Sequence, residues 1–364
     1  MWQKRRIELQ NRIRSIRDVL YDILDIQNII YSQKDIFLKV SPFPNLGDWK
    51  EKVTNRLAPL GYRAEFDPLD SSQPDGPNLL HIQKLGNGVE KQIPWLNIIL
   101  FVLTVISTLS AGALMNQVNP LSNPLQIYKG ASFAVPLLLI LLFHEFGHYI
   151  ESSRNGIKVS LPYFIPGPTL FGTFGAVIRS KSPFKNRRDL LDVGATGPIA
   201  GFMVAVIVVV VGLSHSRVVP VVPGEGLTLG DSLIFKLLSW IVLKNIPDGQ
   251  TVLLSPTAFA GWAGILVTML NLLPIGQLDG GHIMYALLGK AQHRIALVAT
   301  LALIPLGYFF QWYGWFVWVV LVILIKIGHP PTMNDDLPLD TRRKVIGWLA
   351  MLIFVLSFTP VPIK

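Results

Sequence analysis

From residue 95 onward the chain is repeatedly apolar over stretches close to the ~20 residues that a helix needs to cross a bilayer. Expected spans lie near residues 95–115, 131–152, 191–213, 256–273, 295–310, 313–327 and 345–360. Composition agrees. The chain is 51% hydrophobic and 15% charged, against about a quarter charged in a soluble domain. The predicted class is an α-helical multi-pass membrane protein of about six to eight transmembrane helices. It carries a small soluble α+β domain in front and a membrane-associated β-hairpin or edge strand.

Residues 1–93 form the predicted front domain, 94–290 a membrane core and 291–364 a set of C-terminal helices. Ile7, Ile13, Ile16, Leu20, Ile23 and Ile26 recur at roughly helical spacing, predicting a helix over residues 1–31. "DIFLKV", "YRAEFD" and "LLHIQKL" read as strands, and "LGDWKEKVTNRLAPLGY" as an amphipathic helix. "DPLDSSQPDGP" is a turn-rich loop. His81 stands alone there and reads as a surface or packing residue.

The net charge of +9 does not come from this domain, which holds 14 Lys/Arg and 12 Asp/Glu over residues 1–93. The excess lies in short loops of the membrane half, a pattern of membrane topology and not of nucleic-acid binding. With the N-terminus in the cytoplasm, Arg154, Lys158, Arg179, Lys181, Lys185, Arg187 and Arg188 fall inside, as do Arg342, Arg343 and Lys344. The loop after the first span falls outside with only Lys129. There are no cysteines, so any metal must be held by nitrogen and oxygen.

The second span contains "LLILLFHEFGH", and its polar residues are costly there. A charged group at mid-membrane is penalised by ~2.5–3.5 kcal/mol on insertion scales, so residues kept at that depth are functional candidates. His144 and His148 are i and i+4, on one face of a helix. Glu145 lies between them in sequence. HExxH on a helix offers two zinc ligands and a general base. An open catalytic zinc site needs a third protein ligand. Of the acids between residues 95 and 330, Glu151 lies on the same helix near water, and Asp192 suits a helix start. Asp279, in the apolar, Gly-rich "NLLPIGQLDGGH", is the choice. Both motifs fall near the inner ends of their spans, so an active site near the cytoplasmic side is expected.

"HEFGH" on one span and "NLLPIGQLDGGH" on a later one resemble the site-2 protease family of intramembrane zinc metalloproteases. "TFGAVIRS" and "GATGPIAG" resemble it too, and the resemblance covers roughly residues 95–290. The front domain is similar to that of the plastid and cyanobacterial branch. The resemblance implies a zinc endopeptidase that cuts transmembrane protein substrates. His144, His148 and Asp279 would be the zinc ligands and Glu145 the catalytic glutamate. Asn271, the asparagine of "NLLP", would help to position or stabilise the reacting carbonyl.

Several readings stay open at the level of sequence. Asn271 could instead hydrogen-bond the backbone freed where Pro274 and Gly276 break the fourth span. His282 could orient Asp279 or face the cytoplasmic interface. Gly194, Gly197 and Gly201 permit close helix approach. "TFGAVIRS" could be an exposed edge strand to which an extended substrate adds through Thr173, Phe174, Gly175 and Ala176, or a loop that closes the site. A transporter or metal-handling protein could use the same His/Glu/Asp cluster as an ion path. The partners implied are a transmembrane protein substrate and the lipid bilayer.

Overall fold

The computed structural model describes residues 2–31, 35–44, 46–70, 76–85, 93–221, 227–244 and 246–363. They form two compact units. One comprises residues 1–93, 182–187 and 331–338, the other residues 94–181, 188–330 and 339–364.

The front unit opens with α1 (Trp2–Leu20), β1 (Leu24–Tyr31), β2 (Asp35–Pro42) and α2 (Trp49–Leu57). β3 (Tyr62–Pro68) and β4 (Asn78–Lys84) follow. The strands form an antiparallel sheet in the order β1-β2-β4-β3. Strand side chains alternate between faces. Ile36, Leu38 and Val40 of β2, with Leu80 and Ile82 of β4, therefore point to one side. There they bury against Ile16 and Leu20 of α1 and Val53 and Leu57 of α2. The opposite face carries Phe37 and Leu79, which pack with Leu69 and with Met333 from the third stretch of chain. The second and third stretches run beside each other: Met333 N–H donates to Phe184 O and Asn334 N–H to Lys185 O. Lys39 Nζ donates to Asn334 Oδ1 at 3.1 Å, and Asn186 Nδ2 to Leu69 O at 3.0 Å.

One expectation is corrected here. The helix predicted over residues 1–31 ends at Leu20, and Leu24–Tyr31 is a strand. Ile23 and Ile26 are three apart, which imitates helical spacing. A β-bulge between Ile26 and Asn28 shifts the strand's phase, so Ile26 and Ile29 both pack on the α1/α2 side of the sheet. A bulge inserts one extra residue and switches the faces that follow it.

The second unit is mostly helical. α3 (Trp95–Met115) and α4 (Ala131–Arg154) precede a hairpin of β5 (Tyr163–Pro166) and β6 (Thr173–Val177). α5 (Arg187–Ser214), β7 (Arg217–Pro220), α6 (Leu233–Leu243), β8 (Gln250–Leu253) and α7 (Pro256–Asn271) follow. α8 (Asp279–Leu288), α9 (Gln292–Phe309), α10 (Gly314–Ile325) and α11 (Thr341–Ser357) complete it. Among the described residues, four stretches are helical, long and apolar enough to cross a membrane: Trp95–Met115, Pro124–Arg154, Arg187–Ser214 and Asp279–Phe309. The expected spans at 256–273, 313–327 and 345–360 correspond to helices of 16, 12 and 17 residues.

Leu137, Ile140 and Leu141 of α4 pack with Ala205 and Val209 of α5 and Ala260, Ala263 and Met269 of α7. Small residues set how closely these helices approach. A Cβ on Gly261 would lie 2.8 Å from the Val209 nitrogen. At the other end of α5, Asp192 is gripped by Arg343 of α11, whose Nε lies 2.9 Å from each carboxylate oxygen and whose Nη2 lies 2.6 Å from Oδ2. Asp340 caps α11 by accepting from Arg343 N–H. That backbone bond, with the Arg343 guanidinium beside it, holds the Asp340 carboxyl down at about 2.

Candidate metal centre

α4 continues as a helix through "HEFGH", so His144 and His148 project from one face. Asp279 is the first residue of α8, beyond the break that follows α7. Fold places the three side chains together. His144 Nε2 lies 3.2 Å from His148 Nε2 and 3.2 Å from Asp279 Oδ2. His148 Nε2 lies 3.3 Å from the same Oδ2. His144 is 5% exposed and Glu145, beside it, 4%.

Hydrogen bonding says what those atoms face one another with. His148 Nδ1 is 2.8 Å from Val193 O. A carbonyl only accepts, so Nδ1 carries the hydrogen, and the neutral ring has a bare lone pair at Nε2. That lone pair faces a carboxylate oxygen and a second imidazole nitrogen. Three electron-rich atoms converging in a buried place call for a cation between them. A tetrahedral zinc with bonds of about 2.0–2.1 Å sets neighbouring ligand atoms about 3.3 Å apart. The observed edges match one face of that tetrahedron, and two imidazoles with one carboxylate are a catalytic zinc donor set. Among the described residues this is the one group of three or more His, Asp or Glu side chains close enough to share an ion.

α5 supplies the floor of the site. A Cβ on Gly197 would lie 2.2–2.4 Å from His148 ring atoms, and one on Gly201 3.0 Å from His144 Cβ. The close approach expected of these glycines is thus an approach to the two imidazoles. Asn271, the last residue of α7, brings Nδ2 to 3.2 Å from His144 Nε2, so it stands at the cluster and not merely at the helix break. His282 has its Nδ1 2.6 Å from His329 Nε2. His329 was not legible as a site residue, being a lone histidine before two prolines in a loop.

β5 and β6 form a two-stranded antiparallel hairpin. Its turn docks on α3, where a Cβ on Gly172 would lie 2.4 Å from Ser107 O. Thr173 is buried, and its hydroxyl donates to Ile165 O at 2.8 Å while accepting from Gly175 N–H at 3.0 Å. Phe174 is 67% exposed and Val177 51%; Gly175 and Ala176 are half-buried. Each strand pairs only with the other among the described residues.

The family profile described as peptidase family M50 matches residues 132–312. The protein named "Probable zinc metalloprotease EGY1, chloroplastic" of Arabidopsis thaliana is 32% identical over 289 residues, 72% of this chain and 52% of its own length. "Probable zinc metalloprotease EGY2, chloroplastic" of the same plant is 35% identical over 190 residues, 50% of this chain and 33% of its own. The chain thus spans about half the length, or less, of these curated relatives. No solved structure matches it. The segment that matches peptidase family M50, just under half of the chain, contains His144, Glu145, His148, Asn271 and Asp279.

Proposed function

We propose that the chain is an intramembrane zinc endopeptidase that cuts transmembrane segments of other proteins. The observation that carries this is the triangle of His144 Nε2, His148 Nε2 and Asp279 Oδ2, with edges of 3.2, 3.2 and 3.3 Å. These residues would hold Zn2+. Zinc there would supply Lewis acidity and would lower the pKa of water towards about 7. Glu145, buried beside His144, takes the proton of the attacking water and delivers it to the leaving amine. The Asn271 amide, already at the cluster, donates to the oxygen of the reacting carbonyl.

A helical substrate hides its scissile bond within its own hydrogen bonds and must be drawn out straight. The outer edge of β6 suits this task, since an extended segment can add to it as a third strand. Phe174, Gly175 and Ala176 face that segment in this reading, while Thr173 secures the hairpin from within. Residues 94–290 form the catalytic core, 1–93 a cytoplasmic domain, and the C-terminal helices 291–364 complete about six to eight spans. The cations from Arg154 to Arg188 and at Arg342–Lys344 support an N-terminus and active site on the cytoplasmic side.

The test is Glu145→Gln in the full chain, reconstituted with a transmembrane substrate. Zinc content should match the parent, and cleavage should fall by about 10²–10⁴-fold. Cleavage at the parent's rate, or a parent that holds no zinc, would overturn the reading.

A further inference from the structure

The family match ends at residue 312, yet the turn that presents Asp279 is held from beyond it. Residues 326–330, between α10 and α11, lie along the break between α7 and α8. Gly276 N–H donates to Ile327 O at 2.8 Å. Gly276 has φ +57, and a Cβ there would lie 2.6 Å from Lys326 O. At the start of α9, Gln292 Oε1 accepts from His329 N–H at 3.2 Å, and its Nε2 reaches Pro274 O at 3.5 Å. The loop and the break are therefore tied together twice.

His329 is 3% exposed. Its Nδ1 lies 2.5 Å from Pro330 O. The carbonyl accepts, so Nδ1 carries the hydrogen and the neutral ring is bare at Nε2. That nitrogen, 2.6 Å from His282 Nδ1, accepts from it. Tyr285 stacks on the same ring with centroids 4.7 Å apart. His282 and Asp279 are i+3 and i on the first turn of α8, neighbours on one helix face. On α5, a Cβ at Gly194 would lie 2.9 Å from His282 Cβ. The start of α8 has no side-chain cap of its own.

We propose that His329 is a positioning residue for Asp279. By fixing His282 it fixes the first turn of α8, and with it the carboxylate's place opposite His144 and His148. This rests on the reading of the cluster as a zinc site. Outer partners of metal ligands are typically worth about 10–100-fold in metal affinity or activity.

The test uses the full chain loaded with cobalt(II), whose absorption bands report ligand geometry. His329→Leu fills the space but offers no acceptor, while His329→Gln puts an oxygen where Nε2 stood. The leucine variant should shift the cobalt bands, lose metal to a chelator about tenfold faster or more, and lower kcat by about 10–100-fold at little-changed KM. The glutamine variant should recover part of each effect. His282→Ala breaks the same link from the other side and should reproduce the band shift, which keeps a readout if the leucine variant fails to fold. Parent-like bands, metal release and kcat in His329→Leu, or parent-like bands in His282→Ala, would overturn this proposal alone. A parent that binds no cobalt would overturn the zinc reading and this proposal with it.

Discussion

His81 and His148 are both buried histidines beside carboxylates, one in each unit, and they solve the problem of burial differently. In the front sheet, His81 Nε2 meets Asp35 Oδ1 at 2.9 Å, Nδ1 lies 3.5 Å from Glu65 Oε2, and the ring stacks on Phe37 at 4.3 Å. Protein atoms supply what that ring needs. In α4, His148 gives its one hydrogen to Val193 O and points a lone pair at another lone pair and a carboxylate. Protein atoms make that arrangement worse. The difference separates a packing histidine from a candidate ligand: at His81 each nitrogen has one acceptor to itself, whereas at His148 one nitrogen meets a convergence of acceptors.

His148→Ala should break the contrast most severely. Zinc content should fall to background and cleavage by roughly 10³-fold or more, read by metal analysis and a reconstituted cleavage assay; a zinc-replete variant would erase the distinction. Gly197→Ala comes next, because its methyl would stand within 2.2–2.4 Å of the His148 ring. Displacing that ring should weaken zinc binding by about 10–100-fold, measured by competition with a chelator.

His81→Ala should act on the other side of the comparison. Losing the bonds to the half-buried carboxylates of Asp35 and Glu65 should cost the front unit about 1–3 kcal/mol, read by urea melting, with zinc content unchanged. Asp340→Ala should be smallest, about 1 kcal/mol from the lost helix cap. Asp340 is 43% exposed at its side chain, so solvent screening leaves its ion pair with Arg343 little to add. Its folded pKa of about 2 lies below the ordinary 3.8. The stability it contributes is therefore intact above about pH 4 and drains away as pH falls towards 2, which an acid titration of α11 stability would follow.

The pair His144 and His148 was legible because both residues sit on one regular helix, where a spacing of four is a statement about space. Asp279 was legible through its setting, an acid in an apolar, Gly-rich run at matching depth. His329 was not, since nothing in "KIGHPP" is periodic and its role exists only once the loop lies along the α7–α8 break. β1 was misread because Ile23 and Ile26 stand at the separation a helix would use; its bulge then puts Ile29 on the same face as Ile26. The six residues from Ser182 and the eight from Pro331 were read as membrane-half loops. They are short and polar, and only the uncovered face of the front sheet explains where they belong.

Synthesis runs from the N-terminus, and domains generally fold in that order as they emerge. Phe37, Leu69 and Leu79 are made before α3, but Met333, which covers them, leaves the ribosome only after α10. The front unit's sheet is thus closed only after the helices through α10 have been made, and a fragment that stops at residue 93 would carry an oily, unclosed sheet into water.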